Sequence, residues 1–393
     1  MSVPRTRSYA GPALFSYGFR PFFLAGAIYA AASIALWLPT WLGDIILPTH
    51  FAPVEWHVHE LLFGFLPAIV TGFLFTAVPN WTGRMPLQGT GLMLLVVLWL
   101  AGRLALLMSE WTGWQTALLV DCAFLVAVTL VIAREIVSGS NWRNLKVLVP
   151  LGILTGANAL FHWQVVFADD TELARRLGFA AASMLIVIIG GRIVPSFTRN
   201  WLVRENPGRL PASFGLFDKL AIGVTVLALV CWVVLPVTAV AGLLLIAAGI
   251  VQLLRLLRWA GHRTLRDPLV WVLHAGYGLL CLGILALGGS ILEPEIVPPA
   301  VAFHLLGIGA IGTMTLAVMV RASRGHTGQE LRAGTGGKLA FAAILMATAA
   351  RVAASYLPEV NVALLHLAAA SWIVAYLAFA ITLGPALSRS RGS

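Results

Sequence analysis

HVHELLFGFLPAIVTGFLFTAVPN (57–80) decides the fold. From Leu61 through Gly83 the chain carries no charged side chain. About 20 such residues in a helix cross ~30 Å of hydrocarbon. Runs of this kind recur from one end of the 393-residue chain to the other. Reading them against polar, Pro and Gly punctuation predicts about twelve helices. They lie near 22–42, 57–80, 88–108, 114–137, 147–167, 177–195, 216–236, 238–258, 269–289, 300–320, 337–356 and 361–384. Trp41, Trp56, Trp81, Trp111, Trp142, Trp201 and Trp259 fall near run ends, as in an interfacial aromatic belt.

Composition agrees. The chain is 59% hydrophobic and only 11% charged, against about 25% charged for a soluble domain, so it cannot cover a water-facing surface. The expectation is one all-α integral membrane domain spanning 1–393, with no appended soluble domain. The three cysteines, Cys122, Cys231 and Cys281, lie inside apolar runs, which argues against a disulfide framework. No CxxCH is present, so covalent c-type haem is not indicated. Neither a GxSxG elbow nor a P-loop nor a dinucleotide fingerprint occurs; GTGG (334–337) lacks phosphate-loop spacing and reads as a turn.

The formal net charge of +10 suggests nucleic acid until the charges are mapped. All but four of the 26 Lys and Arg fall on one side of the predicted spans, among them Arg5, Arg7, Arg20, Arg143, Lys146, Arg199, Arg204, Arg209 and Arg391. Arg175 and Arg176 lie in opposite loops, and Arg103 and Arg351 inside helices. Opposite loops also hold most of the acids: Asp44, Glu55, Glu110, Asp169, Asp170, Glu172, Glu293, Glu295 and Glu359. The positive-inside rule then places both termini in the cytoplasm. The excess charge reads as topology and lipid-headgroup contact, and no nucleic-acid partner is expected.

Ionisable residues inside spans are costly and mark function by default. Five histidines from four predicted helices share one layer toward the outer face: His57 and His59 opening helix 2, His162, His304 and His366. His274 lies nearer the inner face, and His326 in an inner loop. Imidazole is the commonest nitrogen ligand for haem iron and copper, so this layer suggests a metal or haem site. For any single histidine the ordinary reading is a helix cap or a headgroup contact. His57 and His59 sit roughly 200° apart around a helix, so both cannot face one metal unless the helix starts between them. Arg103, Arg351 and the intramembrane Asp121 read either as a buried ion pair fixing helix packing, or as a cation holding an anionic group such as a haem propionate.

Laying helix 2 over helix 10 at an offset of 245 puts His59 on His304, Thr82-Gly83 on Thr327-Gly328 and Asp121 on His366. An offset of 248 puts Arg103 on Arg351. The pattern is compatible with three parallel four-helix repeats, 1–140, 147–258 and 268–386. His59 and His304 would then be equivalent and suit the two axial positions of a b-type haem. Axial histidines on helices 2 and 10 also look like the low-spin haem site of haem–copper oxidases, but the paired histidines and the helix-6 His and Tyr of the oxidase copper site are missing.

FSYGFRPFF (15–23), WHVHELLFGF (56–65), GFLFTAVPNWTG (72–83) and LWLAGRLAL (98–106) resemble the NnrS family. So do GGRIVPSFTRN (190–200), WVLHAGYG (271–278), HLLGIGAIGTMTLAVMVRASRGHTG (304–328) and AARVAA (349–354). The resemblance runs in order over essentially the whole chain. It implies a haem- and copper-containing bacterial membrane protein of the nitric oxide response and denitrification. Carried onto this sequence, it implies His57, His59, His274, His304 and His326 as candidate ligands. Arg103, Arg192 and Arg351 become candidate anion or propionate contacts. His162 rests on its depth. The expected partners are nitric oxide, the lipid bilayer and an unidentified electron donor. The rival expectations are a transporter of copper, haem or an anion, and a haem–copper enzyme that turns over nitric oxide.

Overall fold

A computed structural model describes residues 9–390, and Arg5, Arg7 and Arg391 of the basic tails lie outside them. Among the described residues every regular element is helical. Twelve helices are long and apolar enough to cross a membrane. They are α1 (Phe19–Leu42), α2 (Pro53–Thr82), α3 (Thr90–Leu107), α4 (Trp114–Ser138), α5 (Trp142–Phe167) and α6 (Glu172–Glu205). The others are α7 (Leu216–Val234), α8 (Ala239–Arg263), α9 (Pro268–Leu292), α10 (Pro299–Thr327), α11 (Gly334–Ala353) and α12 (Pro358–Ser388). The chain is thus a multi-pass membrane protein of the expected class, and each span contains most of the run that predicted it. The ends extend further because terminal turns carry polar caps that hydropathy reads as loop. α2 starts on Pro53, whose fixed φ suits the first helical turn, and the Glu55 side chain accepts the Ala52 N–H at 3.2 Å.

The helices form two compact units. The first runs to Ala181 and takes in Ala322–Glu330 and the stretch from Phe379. In it α1 packs on α2, α3 on α4, α4 on α5 and α2 on α4. Arg20, from the FSYGFRPFF motif, is buried there, and its Nη1 donates to the carbonyls of Ala386, Leu387 and Arg389 at 3.2, 2.9 and 2.8 Å. These include carbonyls at the end of α12, which have no partner within their helix.

The second unit comprises Ala182–Arg321 and Leu331–Ala378. Its closest pair is α8 on α9, where a Cβ on Gly288 would stand 2.6 Å from the Gly242 carbonyl oxygen. Glycine is required at such a crossing because the two backbones touch.

Three helices carry an inserted π segment: Glu60–Phe65 in α2, Ile186–Gly190 in α6 and Leu305–Gly312 in α10. A π turn shifts the backbone ladder by one residue and recurs at functional sites. In each, a side chain from a neighbouring helix donates to a segment carbonyl. Trp99 Nε1 reaches Gly64 O at 2.9 Å, Arg255 Nη1 reaches Val187 O at 3.2 Å, and the Tyr376 hydroxyl reaches Gly312 O at 3.2 Å. Two of the segments begin one residue after His59 and His304, at positions 245 apart in the chain.

Candidate metal centre

The start of α2, the end of α3, the first half of α4 and the end of α5 meet at one end of the first unit. Antiparallel neighbours bring alternate helix starts and ends to a common depth, so these four segments present His59, Arg103, Asp121, Asn158 and His162 to one another. Glu60, on the first residue of the π segment, completes the cluster. All six side chains are buried, none more than 5% exposed.

Asp121 is the hub. Its Oδ2 accepts from Asn158 Nδ2 at 2.9 Å and lies 3.0 Å from His162 Nε2 and 3.3 Å from His59 Nε2. Its Oδ1 is ion-paired with Arg103 Nη2. Arg103 Nη1 donates to Glu60 Oε1 at 2.6 Å, and the same oxygen lies 3.1 Å from His59 Nδ1. One guanidinium therefore bridges two carboxylates. Gly64 leaves room for it: a Cβ there would press on Arg103 Nη1 and lie 3.0 Å from Glu60 Oε2.

Proton counting around His59 shows what the cluster lacks. Nδ1 faces Glu60 Oε1, and Nε2 faces Asn158 Oδ1 at 2.8 Å as well as Asp121 Oδ2. The Asn158 amide cannot be flipped to help, because its Nδ2 is committed to Asp121. Every polar atom facing the two ring nitrogens is thus an acceptor, while a neutral imidazole carries only one N–H. With Nδ1–H donating to Glu60, the lone pair of Nε2 is left against two oxygens. One positive charge is missing there, and a proton or a metal ion would supply it. The carboxylate–histidine pair of Glu60 and His59 is the arrangement that fixes a ligating imidazole's tautomer and orientation.

His59, Asp121 and His162 each offer a ligand atom, all within 4.8 Å of one another. This is the one such group of His, Cys, Asp or Glu among the described residues. Two imidazoles and a carboxylate suit divalent iron, copper or zinc. Phe51, Phe63 and Phe161 surround the pair of rings. Their centroids lie 5.1, 5.4 and 5.3 Å from that of His59, and Phe51 lies 5.3 Å from His162. These three rings form an apolar wall beside the polar atoms of the site. His162 Nδ1, Glu60 Oε2 and Arg103 Nε are buried without a hydrogen-bond partner.

The remaining candidates lie elsewhere. His57, two residues from His59, turns away to stack on Trp37 with ring centroids 4.1 Å apart, as the helical angle requires. In the second unit, the Thr198 hydroxyl donates to Val194 O at 2.8 Å and so accepts from His274 Nε2 at 2.7 Å. His326 packs its ring 5.3 Å from Phe19. Arg192 is exposed.

His304, in the second unit, is half-buried, and its Nδ1–H donates to the Ala300 carbonyl at 2.6 Å. That bond leaves the Nε2 lone pair without a partner among the described residues, the tautomer a metal ligand needs. α10 packs on α11 beside it, and Arg351 of α11 acts on it electrostatically. Arg351 donates to Ser355 Oγ at 3.2 Å, has no carboxylate partner among the described residues and keeps a buried, unpartnered Nε.

Sequence reasoning assigned His59 and His162 as candidate ligands but treated Asp121 only as a packing partner of Arg103. That ion pair is present, and Asp121 serves the histidines as well. Asn158 was missed, although its i, i+4 spacing to His162 put both on one face of α5.

Residues 13–391 match the family model described as NnrS protein. Among curated proteins no match is found.

Proposed function

Because the chain belongs to the NnrS family, we propose that it is a multi-pass membrane metalloprotein of the nitric oxide response. In this reading one metal ion is held by His59, Asp121 and His162, and a b-type haem is held through His304. The observation that carries it is the missing positive charge at His59, whose Nε2 faces two oxygens 2.8 and 3.3 Å away in a fully buried site. Copper is the ion that the sequence resemblance implies, and the donor set accommodates it.

Both ring nitrogens of His59 are taken up by this cluster, so the haem assignment rests on His304 alone. Its free Nε2 and the uncompensated guanidinium of Arg351 fit an axial ligand with an anion-binding partner, such as a propionate clamp. A haem iron supplies nitric oxide binding when present. The chain's own residues hold, orient and dry the site.

Purified in detergent, the protein should hold one non-haem metal ion per chain by elemental analysis and a b-type haem by the pyridine assay. His162→Ala should lower the metal to well under half an ion per chain while leaving haem content unchanged. His304→Ala should do the reverse, removing the Soret band with the metal retained. A chain with neither metal nor haem would overturn the proposal.

One observation favours a second reading. Glu60, His59, Asp121 and His162 alternate acid and imidazole at 3.0–3.3 Å, as in a proton relay. In a proton-coupled transporter of copper, haem or an anion, the missing charge would be a proton. Proton uptake coupled to solute flux in vesicles, with no bound metal, would favour that reading.

A further inference from the structure

Glu60 and Asp121 bring two negative charges to the cluster and Arg103 one positive charge. The two imidazoles are neutral when they ligate. Before loading, the site therefore carries one net negative charge, and a divalent ion turns it into one net positive charge. All the groups concerned are at least nineteen-twentieths buried, where an uncompensated charge is expensive. Among the described residues no fourth His, Cys, Asp or Glu atom joins the three ligand atoms. Asn158 Oδ1 is near enough to complete the coordination, but it is neutral and leaves the charge unchanged. Around the rings stand Phe51, Phe63 and Phe161, which can neither donate nor neutralise.

We infer that a divalent ion held by His59, Asp121 and His162 takes a small monovalent anion with a nitrogen or oxygen donor as an external ligand, which makes the loaded centre electroneutral. The inference rests on the metal reading above. The phenylalanine walls restrict the ligand to a compact one, of the size of hydroxide, nitrite or azide. Desolvating such an anion is offset only by a net positive centre, so the buried charge count itself selects anions over neutral donors of the same size.

Azide is the probe. The full-length protein is stripped of metal, loaded with one equivalent of Cu(II) and titrated with azide while the azide-to-copper charge-transfer band is recorded. The expected result is a saturable band at one azide per copper, absent from the metal-free protein. Glu60→Gln keeps an acceptor for the His59 Nδ1–H and removes one negative charge, so the loaded centre becomes doubly positive. Azide affinity should then rise roughly ten- to hundredfold, the range expected for one charge several ångströms away at intermediate dielectric. A purely structural Glu60 would give unchanged or weaker binding. Copper bound at one per chain with no azide band overturns this inference and leaves the metal site standing. Failure to bind copper or any other divalent ion overturns both. A band of equal strength in His162→Ala places the azide elsewhere and also overturns it.

Discussion

Arg103→Met should cost roughly 3–5 kcal/mol of stability, the loss expected when one partner of a buried ion pair is removed. The guanidinium lies between Glu60 Oε1 and Asp121 Oδ1, and both carboxylates are buried. Methionine fills much of the volume but leaves two negative charges beside two neutral imidazoles, with no other Lys or Arg paired to them among the described residues. Glu60 is on α2, Arg103 on α3 and Asp121 on α4, so the substitution loosens three helices at one point. Unfolding in mixed micelles, followed by the fluorescence of the chain's tryptophans, measures the loss. A change below about 1 kcal/mol would mean that the pair adds no more than an exposed one.

The metal reading adds a condition to this result. A divalent ion at His59, Asp121 and His162 supplies the positive charge that Arg103→Met removes. Metal-loaded variant should therefore be destabilised less than metal-free variant, because an ion that binds only the folded chain stabilises it by mass action. Equal destabilisation with and without metal would separate the arginine from the metal site.

The twelve spans were legible because charge is absent from stretches such as Leu61–Gly83, and no tertiary contact is needed to read that. Their π segments were not. In a run apolar on every face, a slip of one residue in the backbone ladder changes no periodicity, so nothing in ELLFGF marks Glu60–Phe65. Arg103 and Asp121 could be read as partners because both lie within spans and need compensation. Asn158 stayed hidden, since a neutral amide in a helix is unremarkable until its neighbours are known. Arg255 shows the opposite failure. A cation near a span end reads as an interfacial charge, and it was counted with the basic flank. The fold buries it to 1% exposure, because Asp218, in the first turn of α7, lies opposite it.

Arg255→Leu should be the other severe substitution, again by about 3–5 kcal/mol. Arg255 Nε donates to Asp218 Oδ1 at 2.9 Å, and Nη1 donates both to the Tyr277 hydroxyl at 3.1 Å and to the Val187 carbonyl of the α6 π segment. The Tyr277 hydroxyl in turn donates to Gln252 Oε1 at 2.7 Å, and Gln252 Nε2 donates to Thr225 Oγ1 at 2.8 Å. Leucine leaves Asp218 with only the Gly215 N–H and a long contact to Arg258, and strips the π segment of its cap. Arg255→Leu combined with Asp218→Asn should recover part of the loss, since the uncompensated carboxylate is gone. Gly191, the second glycine of the GGR motif, makes room for this guanidinium: a Cβ there would stand 2.6 Å from Arg255 Nη2. Gly191→Ala should therefore cost about 1–3 kcal/mol by overpacking. Arg255→Lys decides between charge and shape. Lysine keeps the cation but cannot donate to Asp218, Tyr277 and Val187 from one planar fork. It should fall between wild type and Arg255→Leu, and wild-type stability in Arg255→Lys would show that the charge alone, without the cap on the π segment, holds α6 to α8.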